Sequence, residues 1–383
     1  MRNTHVFIII ICTILGTMMG QTMLSSCHGY GHRAEIVSNE GIDSIHRITL
    51  LFAGDMMQHG PQINAAADGK GGYSYDACFE NVSDEIVSAD VAIANLEVTL
   101  AGRPYSGYPQ FCAPDEFAAA IKNAGFDILL TSNNHSCDTG RRGLGRTLMV
   151  LDSLGIPHLG TYHSADDRSS SYPYLITKNG FRIALLAYTY GTNGLPVPSP
   201  YIVNLIDTLQ MATDIQKAKL LKPDVIIAFM HWGIEYELHP NQEQRVLADW
   251  LINHGVDHVI GGHPHVVQPV EMLRDNDGNK HLVAWSLGNF ISNQYKPTTT
   301  GGLMVKLTLQ KDSTVRMENA SYSMVWVSRP VFSGRKNYVV FPADVPDSTL
   351  NATERNQREE FINSIKSIFT EMRSTITYGN CLK

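Results

Sequence analysis

The sequence predicts an α/β domain with a mainly parallel sheet. Strand-like and helix-like segments alternate through the middle of the chain, which is the rhythm that crossover helices between parallel strands produce. Five apolar runs have the continuous hydrophobicity typical of strands covered on both faces. The chain has 383 residues, 43% of them hydrophobic, so it can form a large core in one or two domains.

Each of these five runs ends directly in side chains that carry oxygen or nitrogen donors. The runs are 50–54 before Asp55, 91–94 before Asn95 and Glu97, 128–132 before Asn133, Asn134 and His135, 225–230 before His231, and 256–260 before His263 and His265. Ligands of α/β sheets gather beyond the carboxyl ends of the strands. We therefore expect these side chains to converge on one pocket suited to one or two divalent metal ions.

Helical patterns connect the strands. They are predicted at 114–125, at 144–151 with Gly155 at the end, at 207–221, and at 242–254. Further strands are predicted at 181–188 and 281–286, neither with a metal-type residue at its tip. Beyond Gly301 we expect an edge strand at 303–309, an antiparallel neighbour at 321–327, loops over 328–350 and an amphipathic helix over 354–373.

The N-terminus has the pattern of an export signal, with a positive start and a short apolar run. Cys27 follows Leu24-Ser25-Ser26 in an arrangement that resembles a bacterial lipobox, and an ordinary signal peptide with an incidental cysteine is the alternative. The predicted organisation is a lipoprotein signal peptide at 1–26, a tether at 27–46, the catalytic-type domain at 47–327 and a C-terminal extension at 328–383. This predicts a lipid-anchored protein of the bacterial cell envelope.

Charge and cysteine content narrow the function classes. The formal net charge is −7, so the chain as a whole does not attract nucleic acid, and no nucleic-acid partner is expected. An anionic substrate would need a local positive site, such as bound metal with a few arginines. The later cysteines are Cys78, Cys112, Cys137 and Cys381, without a CxxC pair. Disulfides and buried free thiols both remain open.

The strongest local signal is His263-Pro264-His265, where two imidazoles project from a constrained turn after a predicted buried strand. The segment 133–140 places asparagines, His135 and Asp138 before a predicted helix. Capping of that helix would explain Asp138 but not His135. Gly54-Asp55 is a weaker signal, because this pair is common in turns.

Together these motifs resemble the CapA family of bacterial poly-γ-glutamate capsule synthesis proteins, within the calcineurin-like metallophosphoesterase group. The matching segments, in chain order, are Gly54-Asp55, Asn95-Leu96-Glu97, Asn133-Asn134-His135 with Asp138 and Gly140, His231-Trp232-Gly233 with Glu235-Tyr236, Gly262-His263-Pro264-His265 with Gln268, and 286–290. The resemblance implies a four-layer α/β/β/α metallophosphoesterase-like sandwich with two divalent metal ions (Mn, Fe or Zn) at the strand tips.

The resemblance also implies roles for individual residues. Asp55 and His265 would bind the first metal, Glu97 would bridge both, and the second would be bound by Asn134, His231 and His263. His135 would act on the substrate as the catalytic acid. The group usually has Asp-x-His in its first motif, whereas this chain has Met57 in the histidine position. Methionine is a poor ligand for a hard divalent ion, so the first metal site is expected to be weaker, differently coordinated or empty.

Three residues are predicted to bind substrate: Arg103, Arg141 and Asn289. Arg103 lies in a segment that would either wall the pocket or form a plain loop, and Arg141 would either hold anionic groups or be exposed on a helix. Three functions remain open: a metal-dependent hydrolase of a phosphoester or an anionic polymer, a non-catalytic accessory that binds polymer or a membrane synthase complex, and a nucleotide- or sugar-binding protein. The capsule and polyglutamate assignment rests on the resemblance alone.

Overall fold

The computed structural model describes residues 45–368 and 376–379, and these fall within one compact unit. The predicted signal peptide, Cys27, the tether up to residue 44, Phe369 and Cys381 lie outside the described residues.

The described chain alternates strands and helices. The strands are β1 (His46–Met56), β2 (Val91–Leu96), β3 (Ile128–Leu130), β4 (His158–Leu159), β5 (Thr161–Tyr162), β6 (Tyr174–Lys178), β7 (Phe181–Thr189), β8 (Ile202–Val203), β9 (Val225–His231), β10 (His258–Gly262), β11 (Val270–Arg274), β12 (Lys280–Ala284), β13 (Asn289–Ile291), β14 (Gly301–Lys311), β15 (Val315–Ser328), β16 (Val339–Pro342) and β17 (Thr377–Tyr378). The helices are α1 (Gly60–Ala66), α2 (Ser83–Val87), α3 (Asp115–Asn123), α4 (Gly140–Leu154), α5 (Ala165–Ser171), α6 (Thr208–Leu220), α7 (Gln242–Asn253), α8 (Pro330–Ser333) and α9 (Ala352–Ser364).

Two sheets form the centre of the molecule. The first has the strand order β16-β15-β14-β1-β2-β3-β4, with β13 also paired to β1 and β17 to β15. The second has the order β11-β12-β10-β9-β7-β6. Strands β1 to β4 run parallel to one another, and so do β7, β9, β10 and β12. The parallel strands that carry donor residues therefore end at a common edge of each sheet.

Side-chain alternation along β1 separates two layers of core. Leu50 and Phe52 belong to the apolar cluster that also contains residues of the second sheet. The Phe52 ring lies 5.7 Å from the ring of Phe229 in that sheet. Leu51 points the other way, into a cluster with Phe117 of α3. Because successive side chains of a strand point to opposite faces, one strand serves both layers.

Helices cover the outer faces of both sheets. Helix α3 packs on the first sheet, while Met211 of α6 and Leu251 of α7 are fully buried against the second. The four-layer α/β/β/α prediction is confirmed. None of the described helices is long and apolar enough to span a bilayer.

The predicted helices at 114–125, 207–221 and 242–254 are confirmed within two residues at each end, and the one at 144–151 begins four residues earlier. The prediction that 303–309 is an edge strand is wrong, because β14 lies between β1 and β15 and pairs antiparallel with both. Its partner β1 is more than 200 residues away in sequence, and local alternation cannot reveal such a pairing. The region 328–350 also contains β16, which extends the first sheet. Helix α9 (Ala352–Ser364) forms the first part of the helix predicted over 354–373, and positions 369–373 lie outside the described residues.

Candidate metal centre

The strand tips of both sheets meet, as the sequence predicts. In the first sheet Asp55 lies near the end of β1, and Glu97 and Asn134 come after β2 and β3. In the second sheet His231 ends β9, and His263 and His265 come after β10. The residues Asp55, Glu97, Asn134, His231, His263 and His265 are all buried. Groups of this polarity are buried only when partners or a ligand satisfy them.

Asp55 and His265 form a direct pair. His265 Nδ1 lies 3.1 Å from Asp55 Oδ2 and 3.1 Å from Asn289 Oδ1. Both partners are acceptors, so this nitrogen carries the proton and Nε2 presents its lone pair. Burial favours a higher pKa for Asp55, but the hydrogen bond and charge of His265, with His231 and Asn95, outweigh it and lower the pKa.

Asn95 is the central hydrogen-bonding residue of the site. The sequence placed it at a strand tip but did not predict this role. Its amide nitrogen donates to Asp55 Oδ1 at 2.8 Å and to Glu97 Oε2 at 3.0 Å. Its oxygen accepts from Asn133 Nδ2 at 3.0 Å. Asn95 and Glu97 are two residues apart, the spacing that places strand side chains on one face. The spacing in the Asn95-Leu96-Glu97 motif could therefore have indicated that Asn95 faces the site together with Glu97.

Glu97 has a carboxylate oxygen without a protein partner. Its Oε1 atom is buried and accepts no hydrogen bond from the described residues. The same atom lies 3.7 Å from His231 Nε2 and 3.7 Å from His265 Nε2. Burial, followed by the negative charge of Asp55, raises the pKa of Glu97 well above its ordinary value. A buried oxygen placed evenly between two imidazoles fits the position of a bridging metal ligand.

Asn134, His231 and His263 form the other side of the cluster. Asn134 Oδ1 lies 2.9 Å from His231 Nε2, and the rings of His231 and His263 lie 4.9 Å apart. The Nδ1 atom of His263 is buried without a hydrogen-bond partner among the described residues. Burial, with His263 next, lowers the pKa of His231 well below its ordinary value. Burial, with His265 next, lowers the pKa of His263 to about 3.

Two triads of donor atoms result from this packing. The ligand atoms of Asp55, Glu97 and His231 lie within 4.8 Å of one another, and so do those of His263, His265 and Glu235. Carboxylate and imidazole donors suit divalent ions such as Mn²⁺, Fe²⁺ and Zn²⁺. The unpartnered atoms of Glu97 and His263 supply an independent reason to place cations here. Glu235 belongs to a motif quoted from the sequence but was not predicted as a ligand.

Backbone geometry presents the two histidines. His263 and His265 have positive φ angles of 99° and 58°, which residues other than glycine seldom adopt. Such conformations persist when the surroundings impose them, and they concentrate at functional sites. A Cβ atom on Gly262 would lie 3.0 Å from Asp55 Oδ1, and one on Gly54 would lie 1.9 Å from the Gly288 carbonyl oxygen. These glycines allow the backbones to approach the site closely.

His135 is held beside the cluster by Asp138 and Phe111. Its Nδ1 atom lies 2.7 Å from Asp138 Oδ2, and its ring packs edge-on against Phe111 at 4.6 Å. Asp138 Oδ2 also accepts from the backbone N–H of Phe111 at 2.6 Å. The interpretation of Asp138 as a helix cap is wrong, because Thr139 occupies the N-cap position of α4. Asp138 instead orients the His135 ring through its contact with Nδ1.

Met57 belongs to the apolar core. It is 2% exposed and packs in the cluster on the helix side of the first sheet. The nearby His59 is partly buried, with its ring 5.0 Å from Phe111 and its Nδ1 accepting from the Asn293 N–H at 3.3 Å. Burial lowers the pKa of His59 to about 4. The first motif thus contributes a carboxylate to the cluster but no imidazole at the Met57 position.

The three predicted substrate-binding residues have different surroundings. Arg103 is exposed, and its guanidinium lies over the rings of Tyr73 and Tyr105. Arg141 is exposed and donates to the Ser199 carbonyl oxygen at 2.7 Å. Their roles in substrate binding stay predictions.

Asn289 is fully buried. Its amide nitrogen donates to the Thr299 carbonyl oxygen at 2.9 Å and to Gln294 Oε1 at 3.1 Å, which turns its oxygen towards His265. These contacts orient His265, and the predicted role of Asn289 in substrate binding stays a prediction. Elsewhere in the described chain, Cys78, Cys112 and Cys137 are buried free thiols.

A family model described as bacterial capsule synthesis protein PGA_cap matches residues 49–294, a span that contains every residue of the cluster. The chain belongs to this family. It is 24% identical over 283 residues to the capsule biosynthesis protein CapA of Bacillus anthracis, covering 71% of this chain and 66% of the relative. It is 27% identical over 290 residues to the PGA biosynthesis protein CapA of Bacillus subtilis, covering 71% and 70%.

These matches leave about a third of each Bacillus relative unmatched. A probable polyglutamine synthesis accessory protein of Mycobacterium tuberculosis is 26% identical over 206 residues, covering 50% of this chain and 53% of the relative. Among solved structures, the calcineurin-like phosphoesterase YfkN of Bacillus subtilis matches with a TM-score of 0.43 and 13% identity, covering 85% of this chain and 100% of that one.

Proposed function

We propose that this chain is a metal-dependent hydrolase that acts in the synthesis or processing of a capsule polymer of the poly-γ-glutamate type. Its substrate is a phosphoester or an amide-linked anionic polymer, and it binds two divalent ions (Mn, Fe or Zn). The observation that carries the proposal is Glu97 Oε1, a buried oxygen without a partner that lies 3.7 Å from each of two imidazoles. The family match supports the biological setting.

The residues fit a two-ion centre. Asp55, Glu97 and His265 would hold one ion, and Glu97, Asn134, His231 and His263 the other. Bound divalent ions polarise phosphoryl or carbonyl oxygens and lower the pKa of bound water. Asn95 holds the Asp55 and Glu97 carboxylates in place through its two hydrogen bonds.

In the proposed reaction, His135 is the proton donor to the leaving group. Asp138 fixes the ring through Nδ1, so Nε2 donates a proton to the leaving oxygen or nitrogen of the substrate. Phe111 packs on the same ring and keeps water from one side. A positioned acid of this kind contributes typically 10²–10⁴-fold to the rate.

The mouth of the site is rich in tyrosine. Tyr190 is 48% exposed, and its ring lies 4.5 Å from that of His263. The Lys296 ammonium lies 3.9 Å from the centre of the Tyr236 ring. Burial, followed by the charge of Glu235, raises the pKa of Tyr236 to about 12, and Tyr108 and Tyr295 add to this shift. The tyrosine hydroxyls would hydrogen-bond to polar linkages of a substrate, and the Lys296 ammonium would bind its negative charge.

The test is a double variant, His231→Ala with His263→Ala, compared with the wild-type chain after both are loaded with Mn²⁺ or Zn²⁺. We expect the variant to lose both bound metal, measured by elemental analysis, and turnover of phosphodiester and γ-glutamyl amide substrates. His254→Ala is the control, because His254 stacks on Trp250 away from the cluster. Unchanged turnover in the double variant contradicts the hydrolase proposal.

A second candidate is a non-catalytic accessory that binds polymer or a membrane synthase complex. Two observations favour it: Met57 lies in the apolar core instead of supplying an imidazole, and one relative is named an accessory protein. Complementation of a capsule-deficient strain separates the two candidates. If His135→Ala restores capsule while leaving metal content unchanged, the accessory function is correct; if it fails, hydrolysis is required.

We also propose that the protein is exported and lipid-anchored to the cell envelope through Cys27. The support is the lipobox-like Leu24-Ser25-Ser26-Cys27 segment. Labelling cells with a palmitate analogue should mark the wild-type chain and not a Cys27→Ser variant. Equal labelling of the two would contradict lipidation at this residue.

A further inference from the structure

The loop that follows β9 is fixed against the turn that carries His263 and His265. The Trp232 N–H donates to the Gly262 carbonyl oxygen at 3.1 Å, and the Tyr236 N–H donates to the Pro264 carbonyl oxygen at 2.8 Å. Gly233 and Tyr236 both adopt positive φ angles, of 85° and 71°. These two backbone hydrogen bonds bracket Glu235, so the loop presents this residue in a defined position.

The Glu235 carboxylate faces the two histidines. Its ligand atom and those of His263 and His265 lie within 4.8 Å of one another. Its charge also contributes to the raised pKa of Glu97, after burial and Asp55, which places it close to the other triad. Glu235 is exposed while the other members of both triads are buried.

A second, independent observation points to a ligand at this position. His263 Nδ1 is buried with no hydrogen-bond partner among the described residues, although its ring is packed between Tyr190 and His231. A buried ring nitrogen of this kind is stable when a cation or a donor satisfies it. Met57, at the position where the group usually has a histidine, is packed in the apolar core and contributes no nitrogen donor.

We propose that Glu235 is a metal ligand that compensates for the missing first-motif histidine. It would bind a divalent cation together with His263 and His265, so His263 would share the ion of His265 instead of the ion assigned to it above. This inference rests on the metal-dependent function proposed above. It changes the chemistry of the centre, because a carboxylate replaces an imidazole and the site gains an oxygen donor open to solvent. Oxygen donors favour harder ions such as Mn²⁺ and Mg²⁺.

The test compares Glu235→Gln with Glu237→Gln, a matched removal of one negative charge from an exposed position in the same loop. Mn²⁺ binding to the metal-free full chain is measured by isothermal titration calorimetry, and the bound ions are examined by electron paramagnetic resonance. We expect Glu235→Gln to weaken one Mn²⁺ site at least tenfold. The spectrum of a spin-coupled ion pair in the wild-type chain should become that of isolated Mn²⁺, while Glu237→Gln matches the wild type.

Wild-type affinity, stoichiometry and spectrum in Glu235→Gln would overturn the inference. An equal loss in Glu237→Gln would also overturn it, since it would show that general loop charge attracts the ion. Glu235→Asp provides a further check, because a shorter carboxylate should restore part of the binding that the amide loses. A failure of the hydrolase proposal would give a different result: the wild-type chain would bind two Mn²⁺ ions normally but turn over no substrate.

Discussion

The two sheets contribute different kinds of donor to the cluster. The first sheet supplies the oxygen atoms of Asp55, Glu97 and Asn134, whereas the second supplies the ring nitrogens of His231, His263 and His265. Apart from Glu235 in the loop after β9, neither sheet alone carries both oxygen and nitrogen donors. The candidate centre therefore exists only when the sheets pack together, and metal affinity should report on that packing.

Removing the oxygen donor between the two imidazoles should have the largest effect. Glu97→Gln leaves a neutral amide where two ions would share a carboxylate, so we expect Mn²⁺ affinity to fall at least 100-fold and turnover to disappear. Calorimetry and a turnover assay check this. The matched control is Glu354→Gln, another buried glutamate, which bonds to Ser328 in a different part of the protein. A Glu97→Gln chain that binds two ions normally would refute the bridging role.

Proton transfer should be separable from metal binding. His135→Ala removes the proposed acid, and we expect turnover to fall by about 10²–10⁴-fold with metal content unchanged. Asp138→Asn keeps the imidazole but loses its charged partner, so a smaller loss with an altered pH–rate profile is expected. Loss of metal in His135→Ala would instead assign this histidine to the ligands of the first sheet.

The packing between the sheets can be weakened without touching a ligand. Phe229→Ala removes the ring that contacts Phe52 across the sheets, and we expect a loss of about 3–5 kcal/mol in the free energy of unfolding, together with weaker Mn²⁺ binding. Phe117→Ala is the matched control, because Phe117 is equally buried on the helix side of the first sheet. Denaturant unfolding and calorimetry should show similar destabilisation in both variants but weaker binding only in Phe229→Ala. Equal affinities would show that the centre does not depend on sheet packing.

The smallest expected effect concerns protons released when metal binds. Glu97 has a raised pKa and holds a proton to higher pH than an ordinary glutamate, whereas His231 and His263 have lowered pKa values and are already neutral. A metal must displace the Glu97 proton, so apparent affinity should decrease as pH falls through the raised pKa of Glu97.

Calorimetry in buffers of different ionisation enthalpy measures this release. Histidine NMR of the metal-free chain should show that His231 and His263 do not titrate between about pH 5 and 8, since their pKa values lie well below the ordinary value near 6.5. Titration of either ring in that range would assign the proton release to the second sheet instead of the first.

The sequence predicted which residues form the cluster better than it predicted the hydrogen bonds between them. Strand tips are predictable because a buried strand is a local sequence pattern and parallel strands end at one edge of the sheet. For this reason the sequence predicted that Asp55 and His263 lie close together. The role of Asn95 was missed because it depends on hydrogen bonds that form only after packing. Asp138 was misassigned for the same reason, since its partner Phe111 lies 27 residues away. The position of β14 could not be predicted because its pairing with β1 is long-range.

Strand β14 has a practical consequence for any shortened version of this chain. The family match stops at residue 294, yet β14 (Gly301–Lys311) covers one whole side of β1 from His46 to Ala53. A chain that ended at residue 294 would leave a row of N–H and C=O groups on β1 without hydrogen-bond partners. Exposed edges of this kind template self-association, so such a fragment should precipitate or form multimers.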